Sequence, residues 1–317
     1  MVKSPTVWLG SNLLAEANLA ETPLRGGVLV TGSGAGFGDV IVRTLAASGY
    51  RIFATMRSIG ERNTAPATEL REWAAREGHA LTVHEMDVAS EESVNAAIGE
   101  ILTAGEAIDV VVNNAGVAAA GPMEAFSEAQ VQSIFNVNAF GPLRVNRAVL
   151  PHMRERGSGL LLQISSTLGR ILPGVGGLYP STKWALEGLS EGLSYQVKRF
   201  GVDVVILEPG SFPTTAVVRG MRPDLGDIEA AYGAPTSPPR SAAEDAAVPP
   251  DIQEVADAVL RIIEMPSSER RLRYVVGPVF TEGVAEFNEV YEAHKQRLAE
   301  ALRKPGQEMP WTRSKPD

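Results

Sequence analysis

The chain predicts a doubly wound α/β fold, with a seven-stranded parallel sheet and helices on both faces. Three observations lead there. From about residue 26 onward, short apolar β-type runs alternate with segments long enough to be helices. Most of the runs carry little polar alternation, as strands covered on both faces require. A glycine-rich turn, Thr31-Gly32-Ser33-Gly34-Ala35-Gly36-Phe37-Gly38, separates the first run from the helix that follows it.

The elements follow in order. The first strand is Gly27–Val30, and the glycine turn feeds a helix at Phe37–Ser48. Arg51–Thr55 is the second strand, Glu69–Glu77 its helix, Ala80–Met86 the third strand and Glu91–Ala104 the next helix. Asp109–Asn113 precedes one long helix, Glu128–Arg156, and Leu160–Ser165 precedes a second, Pro180–Phe200. Val202–Leu207, a helix at Asp251–Glu264 and the strand Leu272–Val276 complete the sheet. Strand–helix–strand repetition of this kind gives right-handed parallel crossovers. The catalytic domain is expected at 26–280, after an extension at 1–25 whose Trp8, Leu9, Leu13 and Leu14 suit either an oligomer arm or a leader. Residues 211–250 read as a long irregular substrate loop, with five prolines in Gly233–Pro250 alone. Residues 281–317 read as a helix, Phe280–Arg303, and a tail, Lys304–Asp317, carrying Trp311.

Composition narrows the function. Of 317 residues, 44% are apolar and 21% charged, which supplies a core of ordinary size. Lys plus Arg number 29 against 38 Asp plus Glu, a balance of −9 that argues against a nucleic-acid partner. There is no cysteine, so thiol chemistry and cysteine-ligated metals are excluded. The four histidines are never spaced i, i+3 or i, i+4, so no metal site is expected. No run approaches the roughly 18 apolar residues of a membrane span, and the N-terminus lacks a secretory apolar core, so a cytoplasmic protein is expected.

The glycine turn has the context that a dinucleotide needs, a strand before and a helix after, so that the backbone approaches a pyrophosphate. Tyr179 and Lys183 are i, i+4, which puts both on one face of a helix, and a nearby ammonium lowers a phenol that otherwise titrates near 10. On spacing alone the pair could equally be a surface tyrosine beside a solvated lysine. Gly188-Leu189-Ser190-Glu191-Gly192 satisfies G-x-S-x-G, yet no strand precedes it, which sets a serine hydrolase aside.

With its T-G-x-x-x-G-x-G spacing, Asn113-Asn114-Ala115-Gly116, Asn136-Val137-Asn138, Ser165-Ser166, Tyr179-x-x-x-Lys183 and Pro209-Gly210-x-x-x-Thr214, the chain resembles the short-chain dehydrogenase/reductase family from Gly26 to Thr214. The branch it looks most like is the steroid-dehydrogenase and carbonyl-reductase one. The resemblance implies a Rossmann-type domain and a catalytic set of Asn138, Ser166, Tyr179 and Lys183. Ser166, 13 residues before Tyr179, is selected over Ser165 by the family's offset. Asn138 matches the asparagine that holds a water behind the lysine; its bland reading is an ordinary polar helix residue. The cofactor contacts implied are Gly32, Ser33, Gly36, Phe37, Gly38, Arg57, Asp87, Val88, Asn114, Ala115, Gly116, Tyr179, Lys183, Pro209, Gly210 and Thr214. Asp87 could instead cap a helix. Met56 stands where binders of NAD(H) place an acid, and Arg57 beside it favours the 2′-phosphate of NADP(H).

The expected reaction interconverts a ketone and a secondary alcohol on a hydrophobic small molecule. Leu168, Ile171, Leu172, Val175, Phe212 and the segment 217–221 are the expected pocket walls. A homodimer or homotetramer is expected, packed through the two long helices. The alternative is a catalytically silent nucleotide-binding sensor or scaffold.

Overall fold

A computed structural model of the chain describes residues 25–172, 177–212, 220–233, 250–278 and 281–302. The expectations for residues 1–24, Val175, Thr214, most of 217–221, Trp311 and the tail lie outside them. Seven parallel strands run in the order β3-β2-β1-β4-β5-β6-β7: β1 Arg25–Thr31, β2 Tyr50–Met56, β3 Leu81–Glu85, β4 Val110–Asn113, β5 Gly159–Ile164, β6 Val202–Pro209 and β7 Arg273–Val276. The order reverses between β1 and β4. There the loops after the two strands part company and open a crevice at the carboxyl edge of the sheet.

Alternate strand residues feed two apolar layers. Val28, Val30, Ile52 and Ala54 face α1 (Gly36–Ala47), α2 (Thr64–Glu77) and later α8 (Gln253–Glu264). Leu29, Phe53, Val111 and Leu161 face α3 (Glu91–Thr103) and α5 (Gly141–Arg156). Local chemistry sets the boundaries. Ser90 caps α3 by accepting from Ser93 N, and Ser127 with Gln130 forms a capping box on α4 (Glu128–Phe135). Gly78 and Gly157 close α2 and α5 in left-handed conformations.

Three expectations need correction. Helix α2 starts at Thr64, five residues before the expected Glu69, because Pro66 fits its first turn rather than breaking it. The long helix expected at Glu128–Arg156 is divided into α4 and α5 by a π-turn at Asn136–Phe140. The segment 211–250 is not irregular throughout. Gly226–Ala231 forms α7, and Met221 bridges to Ala119. Its described part is pinned to the segment after β4, with Gln130 Nε2 donating to Arg222 O at 2.7 Å and Leu225 N to Ala125 O at 3.1 Å.

The C-terminal helix α9 (Thr281–Leu302) falls where a helix was expected, at Phe280–Arg303. It docks through charge. Arg170, just after β5, donates to Asn288 Oδ1 at 2.7 Å and lies 4.8 and 4.7 Å from the ring centres of Phe287 and Tyr291. Asn288 donates in turn to Glu208 Oε2 on β6 at 2.6 Å. Glu191 of α6 (Leu178–Val197) receives Arg273 of β7 at 2.7 Å and Lys295 of α9 at 3.1 Å.

Burial pushes the Glu191 carboxyl up, but its bonds to Arg273, Lys295 and Tyr195 overcome that and bring it down to about 2. A carboxyl depressed in the folded state stabilises it above the ordinary value and loses that contribution as pH falls through the folded one. The melting temperature should therefore drop as pH falls from about 4.5 towards 2. In Glu191→Gln it should drop less steeply across that window, as thermal melts in a pH series would show.

Candidate active site

The loop after β1 is built for close approach. Gly32 has φ +71°, and a Cβ there would lie 2.8 Å from Ala115 Cα. A Cβ on Gly38 would stand 2.2 Å from Gly32 O, so only glycine lets α1 pack this tightly against its own entry loop. Asn114 fastens the arrangement, its amide donating to Thr31 O at 2.9 Å and Gly32 O at 3.2 Å. Thr31 Oγ1 accepts from the N–H groups of both Asn114 and Ala115, at 3.0 Å each. Sequence reasoning quoted Thr31 only as the start of a motif. Its position facing the loop of the neighbouring strand was the missing signal.

Ala35, the N-cap of α1, makes no side-chain cap bond, so the first turn of the helix is left to offer its N–H groups to an anion. The residues present therefore fit the pyrophosphate of a dinucleotide. Ser33 is buried and donates from its hydroxyl to Val30 O at 2.9 Å, which shapes the turn. Phe37 meets Phe212 edge to face, with ring centres 5.5 Å apart. Phe212 was expected on the substrate wall. It is instead buried in the layer under α1, where Gly277 leaves room for its ring.

At the end of β2, Met56 is buried beside Gly34, and Arg57 is partly exposed. The N–H groups of Ser58 and Ile59 are occupied by the carboxylate of Glu85, at 2.5 and 2.7 Å. Asp87 does not cap a helix, since Ser90 does that. Its carboxylate accepts from Ala89 N at 2.9 Å instead, while Val88 packs in the core against Gly141. Pro209 ends β6, and Gly210 N donates to Val276 O at 2.8 Å, which aims this segment across the crevice mouth.

The four expected catalytic residues converge at the carboxyl edge of β4 and β5. Ser166 follows β5 on the phenol side of Tyr179, and its Oγ accepts from Leu168 N at 3.2 Å. Ser165 turns the other way, its hydroxyl buried against Gly169. Tyr179 lies in the first turn of α6, with Lys183 one turn on and its ammonium 5.8 Å from the phenol ring centre. Lys183 Nζ donates to Ile164 O at 2.8 Å. Burial pulls this lysine down to about 8, against the opposing charge of Glu187.

Lys183 was expected to bring the phenol down. Burial instead pushes Tyr179 up to about 12, and the Ser166 hydroxyl is the group that opposes it. Desolvation outweighs a cation placed beside the ring rather than at the oxygen. The Ser190 hydroxyl is spent inside α6 on Leu186 O at 2.6 Å, which is no nucleophile elbow.

Asn138 sits in the π-turn, where a helix widens and a side chain can leave the regular ladder. Its amide clamps Val117, accepting from N at 2.9 Å and donating to O at 2.8 Å, and donates also to Thr182 Oγ1 at 3.0 Å. Both amide hydrogens are thus spent, and only the Oδ1 side is left, facing Gly116. A Cβ on Gly116 would lie 3.4 Å from Asn138 Oδ1 and 4.0 Å from Lys183 Nζ. The other side of Tyr179 is apolar. It packs against the cluster of Phe126, Ile134 and Leu178, which Val117, Ala119, Phe135 and Met221 also line. Of the expected walls, Ile171 reaches towards Gly283 of α9 and Leu172 is exposed.

A dinucleotide crevice opening on a serine, a tyrosine and a lysine defines the class, an α/β oxidoreductase of the doubly wound type. The pattern of the short chain dehydrogenases matches residues 27–225, and the chain belongs to that family. It is 38% identical over 203 residues to retinol dehydrogenase 8 of Bos taurus, covering 62% of this chain and 61% of that one. To human 17-beta-hydroxysteroid dehydrogenase type 1 it is 35% identical over 195 residues, 59% of this chain and 57% of the relative. The match thus spans about three fifths of each relative's length. A short-chain dehydrogenase from Streptomyces avermitilis superposes with a TM-score of 0.66 at 28% identity, covering 87% of this chain and 97% of the other. A gluconate 5-dehydrogenase from Burkholderia cenocepacia, solved with NADP and tartrate, has a TM-score of 0.57 at 33% identity and covers 62% and 76%. Among the described residues no helix is long and apolar enough to cross a membrane.

Asn138→Ala should cost about 1–3 kcal/mol, because it strands the Val117 N–H and C=O together. Urea unfolding of the wild type and the variant measures this, and a loss under about 0.5 kcal/mol would show that the clamp contributes little.

Proposed function

We propose that this chain is an NADP(H)-dependent oxidoreductase interconverting a ketone and a secondary alcohol on a hydrophobic small molecule. The observation that carries the reading is the meeting of the Ser166 hydroxyl, the Tyr179 phenol and the Lys183 ammonium beside the glycine loop. A bound nicotinamide supplies or accepts the hydride. Tyr179 gives the proton to the substrate oxygen in reduction and takes it in oxidation. Ser166 donates to that oxygen and holds it at the phenol. Lys183 presents its charge to the phenol and, with its remaining hydrogens, to the cofactor ribose. Oδ1 of Asn138 would hold a water between Gly116 and the lysine, and Thr214, by the family resemblance, would meet the carboxamide. The glycine loop, Asp87, Val88 and the 114–116 and 209–210 segments complete the cofactor site.

Arg57, with Met56 rather than an acid before it, supports NADP(H) over NAD(H), since an acid would repel the 2′-phosphate. The apolar cluster around Tyr179 and the names of the relatives support a polyene, aromatic or steroid-like substrate. Phe140 and, on α6, Trp184 and Leu189 leave large apolar surfaces uncovered on the two long helices, which supports packing between copies there.

Tyr179→Phe should abolish the NADP(H)-linked turnover of a retinal and estrone panel while the affinity for NADPH, followed by fluorescence titration, stays within about twofold. Retained turnover would overturn the assignment. Arg57→Glu should cut NADPH affinity by at least about tenfold and favour NADH. Equal affinity of the wild type for both cofactors would remove Arg57 from the site.

A further inference from the structure

Helix α6 continues the catalytic face beyond Lys183. Tyr179, Lys183, Glu187 and Glu191 follow one another at i+4 spacing, and the mechanism above uses only the first two. The Glu187 side chain is 2% exposed, and a carboxylate so buried must be paired. Oε2 accepts from Arg273 Nε at 2.9 Å, while Oε1 is buried with no hydrogen-bond partner among the described residues.

Gly169 places this carboxylate relative to the lysine. A Cβ there would stand 3.2 Å from Lys183 Cβ and 3.3 Å from Glu187 Cγ, so both side chains leave α6 over the same glycine. The charged groups around Glu187 come from every neighbouring element. They are Lys183 and Glu191 on α6, Arg273 on β7, Glu208 on β6, Arg170 after β5 and Lys295 on α9. Arg273 divides its charge among three carboxylates, reaching Glu191 at 2.7 Å and Glu208 at 3.5 Å besides Glu187. Its charge is thus divided, and Glu187 keeps one buried oxygen, Oε1, that Arg273 does not bond.

We propose that Glu187 is a positioning residue of the active site, its carboxylate anchored by Arg273 and buried one helical turn behind Lys183 over Gly169, so that its charge supports the ammonium from behind. This deepens the oxidoreductase reading and rests on it for the effect on turnover. Burial pulls Lys183 down and Glu187 opposes that fall, so without the carboxylate the phenol loses its neighbouring cation at a lower pH. Arg273 acts in the opposite sense, drawing the carboxylate away. Arg273 and α9 lie beyond the residues matched by the family pattern, so this support is built from the chain's own C-terminal part.

Trace acetic anhydride labelling of Lys183 in the intact protein, across about pH 6 to 10 and read by mass spectrometry, follows the amine without any substrate. Glu187→Gln should lower the labelling midpoint by about one pH unit, a tenfold change in the amine-to-ammonium ratio. Glu187→Asp, which keeps the charge, should restore most of it, and Arg273→Gln should raise it. In NADP⁺-linked oxidation of retinol, Glu187→Gln should lower kcat about tenfold with KM nearly unchanged. An unmoved midpoint in Glu187→Gln, with only the melting temperature reduced, would make Glu187 a structural ion and overturn the proposal. If that variant does not fold, an unmoved midpoint in Arg273→Gln overturns it. A shifted midpoint without any retinol turnover would count against the proposed substrate class and leave the positioning role standing.

Discussion

A positive charge buried at the carboxyl edge of the sheet is the constraint that organises this molecule. An ammonium taken out of water needs a partner at close range, and Lys183 finds it in the carbonyl of Ile164, with the charge of Glu187 one turn further along its helix. Gly169 has to be small for the lysine's helix to lie this close, and Asn138 clamps the strand-end loop that forms the wall in front. The π-turn belongs to the same solution. By widening the helix it lets Asn138 reach both Val117 and Thr182, which ties α6 to the loop after β4.

Most of the sheet was legible in the sequence because parallel strands buried on both faces are apolar runs with sharp ends. The glycine loop was legible for a related reason, since Gly32 and Gly38 are demanded by backbone contacts that no other residue permits. The expected catalytic residues were read from spacing and family resemblance together, and the fold brings Ser166, Tyr179 and Lys183 to one edge of the sheet. What escaped depends on partners distant in the chain. Nothing local in 281–302 shows that Asn288 and Lys295 meet Glu208 and Glu191, and nothing in Asn136–Phe140 marks a wider turn. Phe212 was misplaced because apolarity shows that a side chain is buried, not which side of the sheet buries it. The phenol was misjudged because spacing supplies the lysine but not the desolvation that outweighs it.

The site has two contrasting sides. Towards the sheet and α9 it is ionic, with Arg170, Glu187, Glu208 and Arg273 nearly inaccessible to solvent. Towards the segment 117–135 and Met221 it is apolar. Tyr179 stands on the boundary between them. The ionic side is rigid because removing any one member leaves another charge uncompensated. The apolar side, made by the docked pieces 118–130 and 220–233, is held by hydrogen bonds between loops and can differ among relatives without disturbing the charges behind it.

The docking of α9 also sets an order of events at the ribosome. Arg170, Glu187 and Glu208 emerge with the first two thirds of the chain, yet Arg273, Asn288 and Lys295 are among the last described residues to be synthesised. Until those appear, Glu187 and Glu191 on the nascent α6 lack Arg273 and Lys295, so the final packing of β5, β6 and α6 waits. Gln253 bonding Thr44 across more than two hundred residues imposes the same delay on the other face. The sheet can assemble during translation, but the catalytic helix reaches its working position only after the C-terminal helix has been released.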